Sequence, residues 1–314
     1  MIYKKLGNSD LNISAVGYGT WAMGNDTFGE IDDNLAIRAI HAGIDSGINF
    51  IDTAPAYGDG YSEKIVGRAI EGKRDKVILA TKCGNFRYEG MYIRCGQPAM
   101  IRLQIEKSLK NLKTDYIDLY QIHWPDLNVP LERTFEALTD LKKEGKIRAI
   151  GVSNFTIEQI KAAIEYGAIA SVQPPLSILD RRSIDNHIIS FCADNNVGTL
   201  TYGSLAGGLL TGRFTHPQTA QDKDTRSQFY NFYQEPQWSK AQKLIAVMKE
   251  IAANRGVQVP EVAINWALSQ RGVNCALVGA SKPYQAQANA KACDWEMNTE
   301  EVQMIDSVYN ENFK

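Results

Sequence analysis

The sequence predicts a closed (β/α)8 TIM barrel with a short N-terminal hairpin and extended loops at its C-terminal face, and three observations carry the prediction. Eight short apolar runs alternate with longer amphipathic stretches along the 314 residues. Each run is rich in Val, Ile, Leu or aromatic side chains, as strands buried on both faces should be. The GxGxxG fingerprint of a doubly wound dinucleotide fold is missing between the first run and the first helix, which favours the barrel. Single barrels run near ~250 residues, more with insertions, so residues 1–314 read as one domain.

The residues ahead of strand one suit a hairpin that plugs the barrel's bottom. Strands are read at 15–20, 50–53, 77–82, 117–123, 149–153, 171–173, 198–202 and 274–278. Between them, Asp32 or Asp33 can cap a helix to Ser46, with Ile37, Ile40 and Ile44 on its buried face. Ser62 opens a second helix. Residues 98–112 form a third, with Ile101, Ile105, Leu109 and Leu112 on one stripe. Helices at 131–144 and 157–166 end at Gly145 and Gly167, both C-cap residues. Helices at 185–195, 239–254 and 282–293, and an extra one at 260–269, complete the set. The stretch 214–238, polar and aromatic by turns, follows strand seven and reads as a lid that orders when a cofactor binds.

Composition narrows the function. A net charge of −2 gives no broad positive field for nucleic acid or a membrane surface, so the expected partner is a small molecule. Five cysteines, an odd number with no CxxC, fit reduced thiols in a cytoplasmic protein. The N-terminal stretch has no apolar core of signal-peptide length, and no run approaches the ~20 apolar residues that span a bilayer. Four histidines without HxH or HExxH argue against a metal-dependent hydrolase, and no metal is expected.

Barrel enzymes place their chemistry at the C-terminal ends of strands. Strand two ends in Asp52, with Tyr57 in the loop beyond it; strand three ends in Lys82; strand four ends in His123. Reducing a carbonyl needs a hydride at carbon and a proton at oxygen. A Tyr hydroxyl can give that proton, but its unperturbed pKa is near ~10, and a neighbouring Lys ammonium favours the phenolate. A buried Lys needs a counter-charge, which Asp52 can supply, while His123 can bond and orient the carbonyl oxygen. Ser153, Asn154 and Gln173 at later strand ends can bond both sides of a carboxamide, and Tyr202 can stack on a flat ring. The glycine-rich stretch 203–213, closing with Arg213, suits a pyrophosphate, and residues 278–285 open a helix after strand eight, the usual barrel phosphate site. Cys83 alternates away from this face and reads as packing.

These residues resemble the aldo-keto reductase family. The resemblance runs from about Tyr3 to Cys293. It rests on Gly17-Tyr-Gly-Thr-Trp21, Phe50-Ile-Asp-Thr-Ala-Pro-Ala-Tyr-Gly58 followed by Ser62-Glu63, Tyr116-Ile-Asp-Leu-Tyr-Gln-Ile-His-Trp124, Gly151-Val-Ser-Asn-Phe155 and Gly207-Gly-Leu-Leu-Thr-Gly212. It implies a catalytic tetrad of Asp52, Tyr57, Lys82 and His123. It implies a nicotinamide held by Thr20, Trp21, Asp52, Ser153, Asn154, Gln173 and Tyr202, and a pyrophosphate embraced by Gly203, Ser204, Leu205, Ala206 and Arg213. Gly279, Ser281, Lys282, Gln285 and Asn289 would take the adenosine end, and Trp21, Tyr57, His123 and Trp124 the substrate. Members with these spacings mostly use NADP(H), with NAD(H) the lesser alternative. The chain departs from many relatives at Gly203-Ser-Leu205, which lacks a Pro, at Ala288, where Glu is frequent, and at Gln285, where some carry Arg. The expected activity is hydride transfer between the cofactor and a small aldehyde, ketone, sugar or polyol. Aromatic walls suit such substrates, while Arg87, Arg94 and Arg226 would suit an acidic or phosphorylated one. The resemblance extends to nucleotide-sensing auxiliary subunits of potassium channels, an alternative with little turnover.

Overall fold

A computed structural model describes residues 1–25, 28–89, 91–217 and 226–314. Eight parallel strands close into a barrel: Val16–Gly19, Phe50–Asp52, Ile78–Cys83, Ile117–Ile122, Ile147–Ser153, Ile169–Gln173, Gly198–Thr201 and Val273–Val278. Each pairs with its neighbour in chain order, and the last closes on the first through Ala276–Val16, Leu277–Gly17 and Val278–Tyr18. The (β/α)8 expectation is met.

The strands' period of two divides their side chains into two cores. Outward-facing residues such as Ile51, Leu79 and Val172 join the helices in the larger one. Inward-facing Phe50, Ala80, Leu119, Ala149 and Leu200 fill the lower interior. One step further up the same faces stand Asp52, Lys82 and Gln121. Gly151 is required at this level, because a Cβ there would lie 2.6 Å from Ser171 Oγ and 3.0 Å from the Gln121 side chain.

The predicted hairpin is present. Tyr3–Lys5 pairs antiparallel with Asn12–Ser14, and Leu6, Leu11 and Ile13 enter the barrel's bottom with at most 1% exposure. Burying such side chains is worth about 1.5–3 kcal/mol each. The structure also lengthens some expected elements. Strand five begins at Ile147, because Arg148 interrupts the apolar run yet belongs to the strand, bonded to Asp118 and Asp10 on the outside. The helix expected over 185–195 is two, Arg182–Asp185 and Ile188–Asp194, separated where His187 adopts a left-handed φ of 58°. A C-terminal helix, Thr299–Phe313, lies beyond the reach of the motif reading. Its capping box of Asn298 and Glu301 is nonetheless legible as Asn-x-x-Glu, and Arg255 and Arg181 tie it down through Glu301 and Asp306. The loop after strand three carries its own hairpin, Asn85–Tyr88 with Met91–Arg94. All five cysteines are free, and burial pushes the Cys83 thiol up, as suits a packing residue. Among the described residues, no helix is long and apolar enough to cross a membrane, and no cluster of His, Cys, Asp or Glu could hold a metal ion.

Candidate active site

The C-terminal end of the barrel opens into a cleft of about 1580 Å³. Small-ligand sites occupy roughly 300–1,000 Å³, so there is room for a dinucleotide and a substrate together.

Its floor is built on Lys82, which is fully buried at the end of strand three. The ammonium has three donors and uses all of them: 2.6 Å to Asp52 Oδ2, 3.0 Å to the Thr53 carbonyl and 3.1 Å to Tyr57 Oη. Burial pulls the Lys82 pKa below its ordinary value, against the opposing effect of Asp52. The other carboxylate oxygen of Asp52 accepts from Gln121 at 3.0 Å and Gln173 at 2.8 Å. The charge pair therefore leaves no lone anion in the barrel. Tyr57 Oη accepts from the ammonium, so its own proton is a donor to something else. Its ring meets His123 edge-on at 5.8 Å and stacks near Trp21 at 6.3 Å. Burial, then the charge on Lys82, holds His123 well below the ordinary histidine value, which keeps the imidazole neutral at pH 7. Its Nδ1 is sealed without a partner among the described residues.

One wall comes from strands five to seven. Asn154, in the left-handed region at φ 61°, sends its amide to the His123 carbonyl and Ser153 Oγ. Tyr202 Oη donates to Asn154 Oδ1 at 2.9 Å, and Ser153 Oγ donates to the Gln173 carbonyl at 2.8 Å. Gln173 spends its N–H on Asp52, which leaves its oxygen as an acceptor for a carboxamide N–H. Thr20, fully buried, donates to the Asp52 carbonyl and fixes the backbone that carries the carboxylate.

Further along, Gly203, Gly207 and Gly208 all have positive φ, and a Cβ on Gly207 would lie 2.8 Å from the Tyr230 ring. Ser204 Oγ is buried beside them with no partner among the described residues. Arg226, 6% exposed, donates to the Gly207 carbonyl at 2.8 Å. At the far end, Gln285 Oε1 accepts from the Ser281 N–H, the Ser281 hydroxyl and the Lys282 N–H. Asn289 donates to the Gly279 carbonyl at 3.3 Å. A turning glycine loop, an orphaned hydroxyl and a helix opening at Pro283 fit a dinucleotide laid from Tyr202 to Asn289.

All the residues predicted for catalysis, cofactor or substrate line this cleft except three, and of the arginines considered for an acidic substrate Arg94 and Arg226 line it while Arg87 does not. Lys82 lies beneath it, Ala206 is fully buried behind the glycine loop, and Lys282 is exposed outside it. Three further residues belong to the site. Gln121 shares strand four's inward face with His123, a period-two relation the sequence contains. Phe28 and Phe229 meet Trp21 edge-on at 5.1 and 5.2 Å, from loops with no periodic pattern to place them. Part of the expected lid, 218–225, lies outside the described residues; Arg226–Phe229 and Asn231–Tyr233 stand at the cleft.

The Aldo/keto reductase family model matches residues 15–310. The chain belongs to that family. It is 41% identical over 311 residues to an aldo-keto reductase of Bacillus subtilis, covering 98% of this chain and 93% of the relative. It is 34% identical over 303 residues to an NADH-specific methylglyoxal reductase of Escherichia coli, covering 91% and 92%. A glycerol dehydrogenase structure from Gluconobacter oxydans superposes with a TM-score of 0.89 at 38% identity, covering 99% and 96% of the two chains.

Proposed function

We propose that this aldo-keto reductase moves a hydride between NADP(H) and the carbonyl or alcohol of a small aldehyde, ketone, sugar or polyol in the cytoplasm, with Tyr57 as general acid and base. The observation that carries this reading is the Lys82 ammonium bonded at once to Asp52 and Tyr57 on the cleft floor. Ser153, Asn154, Gln173 and Tyr202 would hold a nicotinamide, which when bound would supply the hydride. Neutral His123 holds the carbonyl oxygen beside Tyr57. Tyr57 gives its proton to that oxygen, and Lys82 stabilises the phenolate left behind. In the oxidative direction the phenolate takes the alcohol proton. The relatives named methylglyoxal reductase and glycerol dehydrogenase support a small, oxygen-rich substrate.

The adenosine end supports NADP(H). From Gly279 to Cys293 the chain has Lys282 and Lys291 and no carboxylate, and a carboxylate is what a ribose 2′-hydroxyl site ordinarily uses. One observation favours NAD(H): Gln285 already occupies the N–H groups of Ser281 and Lys282 that a 2′-phosphate would need. An NADH-specific relative fits that second reading. Fluorescence titration with NADPH and with NADH decides between them. Binding of NADPH at far lower concentration is expected. Tighter NADH binding reverses the cofactor assignment, and binding of neither removes the reductase reading. The channel-subunit alternative is disfavoured by the Lys82–Tyr57 contact, which nucleotide sensing does not need.

A further inference from the structure

Several arginines on the outside of this barrel are paired: Arg68, Arg102 and Arg148 each reach a carboxylate within 2.7 Å. Arg94 is different. It ends the second strand of the hairpin after strand three, lines the cleft, and forms no hydrogen bond or ion pair among the described residues. Its guanidinium lies 4.7 Å from the ring centre of Trp124, the residue after His123. That stack orients a planar, solvent-exposed cation at the cleft without using its N–H donors.

Directly across the hairpin from Arg94 stands Asn85. It is 7% exposed, lines the same cleft, and its Oδ1 has no partner among the described residues. That oxygen is an acceptor, so it calls for an O–H or N–H of a ligand rather than for the anion itself. The pair is also held firmly. Gln104 bonds the Gly84 N–H and the Asn85 carbonyl on one side. Asp126 and Thr134 bond Gly96 on the other. An unpaired guanidinium fork over an aromatic wall on an anchored backbone has the composition of an anion subsite, with the Asn85 acceptor beside it for a neighbouring hydroxyl.

We infer that Arg94 binds an anionic group, carboxylate or phosphate, at the end of the substrate remote from its carbonyl. This rests on the carbonyl-reductase reading and narrows it to acidic carbonyl compounds. Trp124 links the two ends, since it follows His123 in the chain and carries Arg94 on its ring.

The test is steady-state reduction, with NADPH and in parallel with NADH, of three aldehydes of matched length ending in a carboxylate, a phosphate or a neutral methyl ester. At least one anionic aldehyde is expected to exceed the ester about tenfold in kcat/KM, mostly through KM, the usual size of one charge-assisted hydrogen bond. The better anionic arm identifies the group. In Arg94→Gln that ratio is expected to fall to about one, and Arg94→Lys to keep part of it. In the unaltered protein, added salt should raise KM for the anionic aldehyde more than for the ester. This last readout needs no variant to fold. Equal kcat/KM for all three aldehydes, or a ratio that Arg94→Gln leaves intact, would overturn the subsite and leave the reductase standing. Turnover of none of the three with either cofactor would overturn the reductase reading, and the subsite with it.

Discussion

The two ends of the barrel interior are made by the same strands and differ in almost every physical respect. At the bottom, Leu6, Leu11 and Ile13 meet Phe50, Ala80 and Leu119 in a dry apolar plug. Two residues further along three of those strands, Asp52, Lys82 and Gln121 replace hydrocarbon with charge and amide. The plug is held by packing, which tolerates small shifts at a graded cost. The polar layer is held by hydrogen bonds, each needing its partner in place. Stability and chemistry are thus separated by two residues of strand.

Four measurements bear on that separation, from the largest expected effect to the smallest. Lys82→Met should cost about 3–5 kcal/mol, because it leaves Asp52 buried without its counter-charge. Urea unfolding reads this, and a loss under about 1 kcal/mol would show that Gln121 and Gln173 suffice to hold the anion. Leu11→Ala should cost about 2–5 kcal/mol through lost burial and a residual cavity, while kcat per folded molecule stays as it was. A changed kcat would mean that the plug and the site are mechanically coupled. Tyr57→Phe should do the reverse, lowering kcat about 100-fold or more with the fold and NADPH binding kept. Retained turnover would remove Tyr57 from its role.

The smallest effect concerns pH. The folded His123 pKa is depressed, so below the ordinary histidine value the unfolded chain takes up a proton that the folded one refuses. Stability should then fall with falling pH, by up to about 1.4 kcal/mol per pH unit from this group. His123→Gln should fall less steeply between pH 7 and 5. Parallel slopes for the two proteins would show that His123 protonates freely in the fold.

How much of this the sequence disclosed depended on periodicity. Asp52, Lys82 and His123 follow apolar runs whose alternation is readable residue by residue, and they meet as expected around Tyr57. Gln121 was equally readable, being one alternation before His123, but it stands inside the strand rather than at its end. Arg148 hid the start of strand five because a charged side chain on an outward face looks like a break. The glycine loop was legible in composition and not in direction. Positive φ at Ala206, Gly207 and Gly208 turns Ala206 inward, and no period encodes that turn. Phe28 and Phe229 reach Trp21 from opposite loops, a meeting set by tertiary structure alone.

The N-terminal plug has one more consequence. With its lower end stoppered by Leu6, Leu11 and Ile13, the barrel is a cup rather than a pipe. Among the described residues the way to Tyr57 is the upper cleft, so a substrate and a cofactor would share one doorway. The ligand that lies deepest would then be seated first, an order of arrival that product-inhibition patterns would read.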